Sequence, residues 1–154
     1  MIKRILILFA IAQLSMMGYS QTPKWAEKAK KAVFLVVTYD ANDKILNTGN
    51  GFFISEKGVA ISDYALFKNA QRAVIITSEG EKMPVKAILG ANDMYDVVKF
   101  SVDITSKKVA NLTLSETPMT EGSKLWLLPY STQKVRSLTS GNVNSVDKIS
   151  DYAY

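Results

Sequence analysis

The pattern of apolar and polar positions changes character twice along the chain. Residues 1–20 open with the basic pair Lys3 and Arg4, run apolar over 5–14, and close on the small residues Gly18 and Ser20 around Tyr19. These are the three parts of an export leader, and the apolar run falls short of the roughly 20 residues a membrane helix needs. Cleavage is expected after Ser20, leaving Gln21 first; an uncleaved N-terminal anchor is the alternative. The next stretch, 21–32, predicts a short lead-in helix. Thr22 suits the N-cap, Pro23 the first helical position, and WAEKAKKA is rich in good helix formers. Trp25, Ala29 and Ala32 or Val33 are expected on its inward face.

From Val33 the pattern becomes that of strands. AVFLVVTYD is too continuously apolar and β-branched for a strand with one wet face, so burial on both sides is expected for part of its length. Further strands are predicted over 45–55, with a bulge at 47–51, and over 59–62, 72–77, 83–89 and 97–102, with a helical turn at 65–70. Turns fall at 41–44, 56–58 and 78–81, where Asn, Asp and Gly collect. Pro84 is tolerated at the beginning or edge of a strand. Six short strands without intervening helices predict an all-β fold, a closed antiparallel barrel over 33–103 with no free edge. Its expected core is Phe34, Val36, Phe52, Ile54, Ile61, Ile75, Ile88 and Val98. Beyond polar 103–108, extended segments are expected at 111–114 and 124–128, turns at 120–123 and 129–132, and a long strand or hairpin over 135–146. This later region has apolar residues but few strands to cover them, so it is expected to be the labile part.

Composition narrows the chemistry. At 154 residues, 47% hydrophobic and 21% charged, the chain can bury one sizeable core. The net charge of +5 includes two residues of the leader, and the other basic residues are scattered, which argues against nucleic acid as a partner. Cysteine and histidine are both absent. That excludes disulfides, thiol nucleophiles and thiolate metal sites, and removes the commonest zinc ligand. No D-x-[DN]-x-[DN]-G calcium loop is present, so no metal or cofactor is expected.

The stretch from Gly49 to Phe67, GNGFFISEKGVAISDYALF, resembles the trypsin-fold serine peptidases of the HtrA (Deg) kind. In these a Gly-x-Gly-Phe-aliphatic-Ile-Ser strand and a glycine turn lead to a Thr/Ser, amide positions and then the catalytic histidine. The resemblance places the hydroxyl on Ser62, the amide positions on Asp63 and Tyr64, and the histidine position on Ala65. Two further segments resemble the family. Gly90-Ala91-Asn92-Asp93-Met94-Tyr95-Asp96-Val97-Val98 places the catalytic aspartate on Asp96, with Tyr95 in place of the family's Thr. Leu138-Thr139-Ser140-Gly141-Asn142-Val143 matches a strand of the second barrel. The resemblance thus implies a trypsin-like first barrel, with 104–154 as the opening strands of an incomplete second one. The Gly-Asn-Ser-Gly-Gly nucleophile loop is not found, and its place in the family pattern would follow Tyr154. Gly141-Asn142-Val143-Asn144-Ser145 lacks the glycine pair after its serine.

Of the Ser, His and Asp that such catalysis requires, only Asp96 has a counterpart. The resemblance therefore implies a periplasmic or secreted bacterial protein of the serine-peptidase family that is inactive as it stands, a pseudoprotease or the front part of a longer protein. A second reading is a module that holds a peptide or protein by a barrel edge or in the vacated cleft. A third is an endopeptidase completed by another chain. A Ser–Lys dyad would need a lysine of lowered pKa, and no Ser and Lys pair stands in a recognisable motif. Asp63 and Asp96 are placed to face each other across the vacant site, or else to be solvated at strand ends. Trp25 and Trp126 read as packing aromatics. No stable membrane span is expected after leader removal, and the sequence leaves the oligomeric state open.

Overall fold

A computed structural model of the chain describes residues 24–105, 107–130 and 138–146. The leader expected over 1–20, the expected helix start at Thr22 and Pro23, and parts of the 129–132 turn and the 135–146 segment lie outside these residues. Helix α1 (Lys24–Ala32) runs directly into β1 (Val33–Tyr39), and the order continues β2 (Ile45–Phe53), β3 (Val59–Asp63), a 3-10 turn (Tyr64–Phe67), β4 (Arg72–Ile76), β5 (Lys82–Asn92) and β6 (Val97–Val102). These six strands close an antiparallel barrel in the order β1-β2-β3-β6-β5-β4, with β4 returning to β1. A separate two-stranded sheet pairs β7 (Lys124–Leu127) with β8 (Thr139–Asn142). The protein is therefore all-β apart from one short helix. The longer strand expected over 135–146 is represented by four residues of β8.

The turns follow from their residues. The Asp40 carboxylate accepts the backbone N–H groups of Asn42 and Lys44, which lets Asp43 take a φ of 59° between β1 and β2. Gly58, at φ 83°, closes the β2–β3 hairpin, with the Ile54 N–H donating to the Val59 carbonyl at 2.8 Å. Between β4 and β5, the Thr77 hydroxyl accepts N–H groups from Glu79 and Glu81.

The core shows which face of each strand points inward. Phe34, Phe53, Phe100, Ile75, Val36 and Val98 are its largest fully buried residues, and Phe34 stacks on Phe53 with ring centroids 4.7 Å apart. Phe34, Val36, Ile75 and Val98 lie inside as expected, but Phe52, Ile54 and Ile61 are only half-buried and Ile88 is 50% exposed. For the three half-buried residues the cause is strand parity, whereas Ile88 pairs with buried Phe100 but lies beyond Pro84, where β4 no longer pairs with β5. Gly51 pairs with Ser62 and Phe53 with Ala60, and all four face inward, so Phe52 and its partner Ile61 face outward. A Cβ on Gly51 would stand 2.5 Å from Phe34 Cε2, and one on Gly49 would collide with Leu66. Gly51 thus admits the side chain of its partner on the neighbouring strand β1, and Gly49 admits Leu66 of the 3-10 turn. The bulge expected at 47–51 lies instead at Leu46, between the Thr38–Asn47 and Tyr39–Ile45 pairs. At this point the buried Thr38 hydroxyl exchanges hydrogen bonds with the Asn47 backbone.

β1 is buried on both faces along most of its length, as its continuous apolar run predicts. The buried face of α1 is Ala26, Ala29 and Ala32. Trp25 does not belong to it: it is 48% exposed and meets Trp126 of β7 edge to face at 5.8 Å. Small residues let the helix lie close to the barrel, whereas an indole would hold it away.

Closure is also less complete than a barrel without edges would require. β2 pairs with β3 only over Gly51 to Phe53, and β5 pairs with β4 only over Lys82 to Pro84. Nine-residue β2 and eleven-residue β5 overhang five-residue neighbours, so each carries an unpaired flank toward one end of the barrel.

Two outcomes are expected. Gly51→Val should lower stability by about 1–3 kcal/mol through overpacking against Phe34, whereas Gly90→Ala, with open space at its Cβ, should stay within about 0.5 kcal/mol. Urea denaturation midpoints compare them, and equal losses would contradict the assigned parity. In native-state hydrogen exchange, amides of β1 and β6 should exchange slowly and those of β7 and β8, all exposed, should exchange fast. Uniform protection of both sheets in a monomer would show that the small sheet belongs to the same cooperative core.

Candidate functional site

Ala65 and Asp96 come from segments 31 residues apart, and the barrel brings them to one end. β3 ends at Asp63, whose backbone pairs with Val97 at the start of β6. That pairing places the 3-10 turn beside the 93–96 connection between β5 and β6. Two hydrogen bonds join them. The Ala65 N–H donates to Asp96 Oδ1 at 2.6 Å, and the Tyr64 N–H donates to the Asp96 carbonyl at 3.1 Å. Asp96 reaches both with φ at 50°, a left-handed conformation that Asp tolerates better than most residues. Its turn is held from within by the Asn92 side-chain oxygen, which accepts the Tyr95 N–H at 3.0 Å.

The charges around this junction are paired at the surface. Lys68 Nζ lies 2.5 Å from Asp93 and 5.4 Å from the centre of the Tyr64 ring. The hydrogen bond to Asp93 raises the Lys68 pKa above its ordinary value, against a smaller opposing effect of desolvation. A lysine acting as general base needs the opposite displacement, so Lys68 is a cation here. Ser62, expected at the hydroxyl position, is buried and donates its Oγ–H to the Asn50 carbonyl at 2.7 Å. This hydroxyl braces β2 against β3 and is not free as a nucleophile. Asp63 is exposed at the end of β3. Ser145 is exposed in the C-terminal segment.

Apolar residues are also exposed beside the junction. Met94, Tyr95 and Val97 are exposed, Met94 to 71%. Sequence reasoning assigned no role to these three residues, although three apolar side chains in and beside a connecting turn were themselves a signal. Among the described residues no group of three or more His, Cys, Asp and Glu side chains could hold a metal ion, and no helix is long and apolar enough to cross a membrane.

In chemical terms the site is a carboxylate oriented by the backbone N–H of an alanine. The carboxylate fixes the turn by accepting that N–H, and Ser62, the hydroxyl expected near it, is bonded to the Asn50 carbonyl. Comparison with known proteins found no family model and no curated protein that matches the chain. The class defined by fold and site is an all-β protein with a closed six-stranded antiparallel barrel, compatible with a trypsin-like fold.

Loss of the Asp96 carboxylate should loosen this end of the barrel. Asp96→Ala is expected to cost about 1 kcal/mol, on the scale of a lost helix cap, and to speed amide exchange at Ala65. Asp96→Asn retains an acceptor oxygen and left-handed tolerance and should keep most of both. Exchange at Ala65 that is unchanged in Asp96→Ala would show that the hydrogen bond does not hold the turn.

Proposed function

We propose that the chain is an exported, HtrA-like member of the trypsin-fold serine-peptidase family that does not hydrolyse peptides and acts by holding another polypeptide. The observation that carries this reading is the hydrogen bond from the Ala65 N–H to Asp96 Oδ1. In a Ser-His-Asp site the aspartate is fixed beside the histidine it orients, and here the residues matched to those positions by sequence are in contact. The closed barrel, the glycine turn at Gly58 and the SGN strand of β8 agree with the same reading. The chain contains no histidine, so the carboxylate has no imidazole to orient.

A second reading, a peptide- or protein-binding module outside any protease lineage, draws support from the exposed apolar residues Met94, Tyr95 and Val97 beside the junction. Both readings expect a protein that binds and does not cut. They differ in descent, which the chemistry of the chain expresses only through Asp96. An endopeptidase completed by another chain is the reading they oppose.

The purified chain should leave casein intact and remain unlabelled by a fluorophosphonate probe. Ala65→His should bring neither cleavage nor labelling, because among the described residues no activated serine stands beside position 65. Labelling of a single serine, abolished by substituting that serine, would overturn the non-catalytic assignment; so would hydrolysis that appears only when a second chain from the same compartment is added.

A further inference from the structure

β5 continues long after its partner on one side has ended. Its pairing with β4 stops at Val74–Pro84, while its pairing with β6 runs on to Asn92–Val97. Arg72 and Ala73, next in line on β4, pair only with β1. The two strands therefore part, and a groove of about 250 Å³ opens between them, with Phe67 and Val85 among its walls. Among the described residues no strand pairs with β5 on this flank beyond Pro84.

The groove has a definite charge. Arg72 and Lys86 line it and no carboxylate does. Arg72 is engaged elsewhere, bound to Asp43 at 2.7 Å and stacked 3.6 Å over the Tyr39 ring. Lys86 forms no ion pair among the described residues. It sits at a register shift in β5, with a second shift at Leu89. A lysine and bulges are also how sheets discourage indiscriminate edge pairing. Ile88 and Leu89, 50% and 52% exposed on the same stretch, give this flank the apolar surface that a merely guarded edge lacks.

We propose that the unpaired flank of β5, from Lys86 to Ala91, binds an extended segment of a partner protein by strand addition, with apolar side chains against Ile88 and Leu89 and a carboxylate set against Lys86. Backbone hydrogen bonds supply affinity, and the lysine supplies selectivity for an acidic strand. A second copy of this chain fits less well, because it brings the same Lys86 and a net charge of +5 to the same edge. The inference rests on the strand lengths and the charge of the groove, and holds whatever the descent of the barrel.

The test is a titration of the full-length, ¹⁵N-labelled chain with three blocked peptides of alternating valine and threonine. One carries a single glutamate, one a lysine in its place, and one is the glutamate peptide N-methylated at alternate amides. The glutamate peptide should shift the amides of residues 86–91 and bind roughly tenfold tighter than the lysine peptide, with Lys86→Glu reversing the preference. The N-methylated peptide should not bind. Equal binding of the charged pair, binding of the N-methylated peptide, shifts confined to residues 64–67 and 94–97, or no shift up to about 1 mM peptide would each overturn the proposal. So would self-association through residues 86–91 in the absence of peptide.

Discussion

Phe34 approaches the backbone of β2 so closely that the position opposite it must be glycine, and much of the barrel follows from that contact. A Cβ at Gly51 would lie 2.5 Å from the ring and 3.1 Å from the Ile61 carbonyl. With Gly51 facing inward, Phe53 must face inward two residues later, and it stacks on Phe34. Pairing then brings Ala60 and Ser62 of β3 to the same face, and the Ser62 hydroxyl closes on the Asn50 carbonyl. Gly49, in the same parity, leaves room for Leu66 and so admits the 3-10 turn that carries Ala65. The position of the candidate site is thus a consequence of how an aromatic ring is accommodated in the core.

Asp96 is a brace in this structure whatever else it once did. Its carboxylate and its carbonyl each accept one N–H from the 64–65 backbone, and its left-handed φ suits few residues besides Gly, Asn and Asp. Loss of a neighbouring base would leave these demands unchanged. On the family reading, that accounts for an aspartate persisting beside Ala65: the residue has a structural duty separable from orienting an imidazole. The same duty limits what Asp96 says about catalysis, since the bond would be worth keeping in a protein that never had a histidine there.

The strand and turn plan was legible because each strand is bounded by residues with a specific backbone preference, as at Asp40, Gly58 and Gly80. Strand parity was less so. GNGFFIS is apolar on both faces, and period-2 reasoning has nothing to hold; the usable signal was two glycines at alternate positions in register with Phe53, which mark a face needing space. In α1 the equivalent signal was Ala26, Ala29 and Ala32, small residues three apart, and the larger Trp25 drew attention from them. Ile88 was misplaced because burial there needs a neighbour: it pairs with buried Phe100, but β4 stops pairing with β5 at Pro84 and leaves this stretch uncovered. The contact of Ala65 with Asp96 came from resemblance to a family pattern, since nothing in either segment alone points to the other. The overhang of β5 was illegible for a different reason: how far a strand is paired depends on its neighbours' lengths as well as on its own pattern.

The two ends of the barrel are finished differently, and the contrast bears on function. At the end holding the β2–β3 and β4–β5 turns, residues after β6 fold back: the Val109 N–H bonds the Glu56 carbonyl, the Leu112 N–H bonds the Phe53 carbonyl, and Lys107 and Lys108 pair with Glu81 and Glu56. These bonds tie the segment after β6 across that end of the barrel. At the other end lie the Asp96 junction, the unpaired flanks of β2 and β5, and exposed Ile45, Ile88, Met94, Tyr95 and Val97. The length of β5 serves β6, since Ile88 pairs with Phe100 and Ala91 with Val98, but nothing in that pairing requires the opposite flank to stay open or its apolar residues to stay exposed. Apolar surface and unpaired backbone kept together at one end are what an interaction surface requires. The Ala65–Asp96 contact lies at this same end, beside Met94, Tyr95 and Val97, so the junction that joins β3 to β6 borders the surface fitted for a partner.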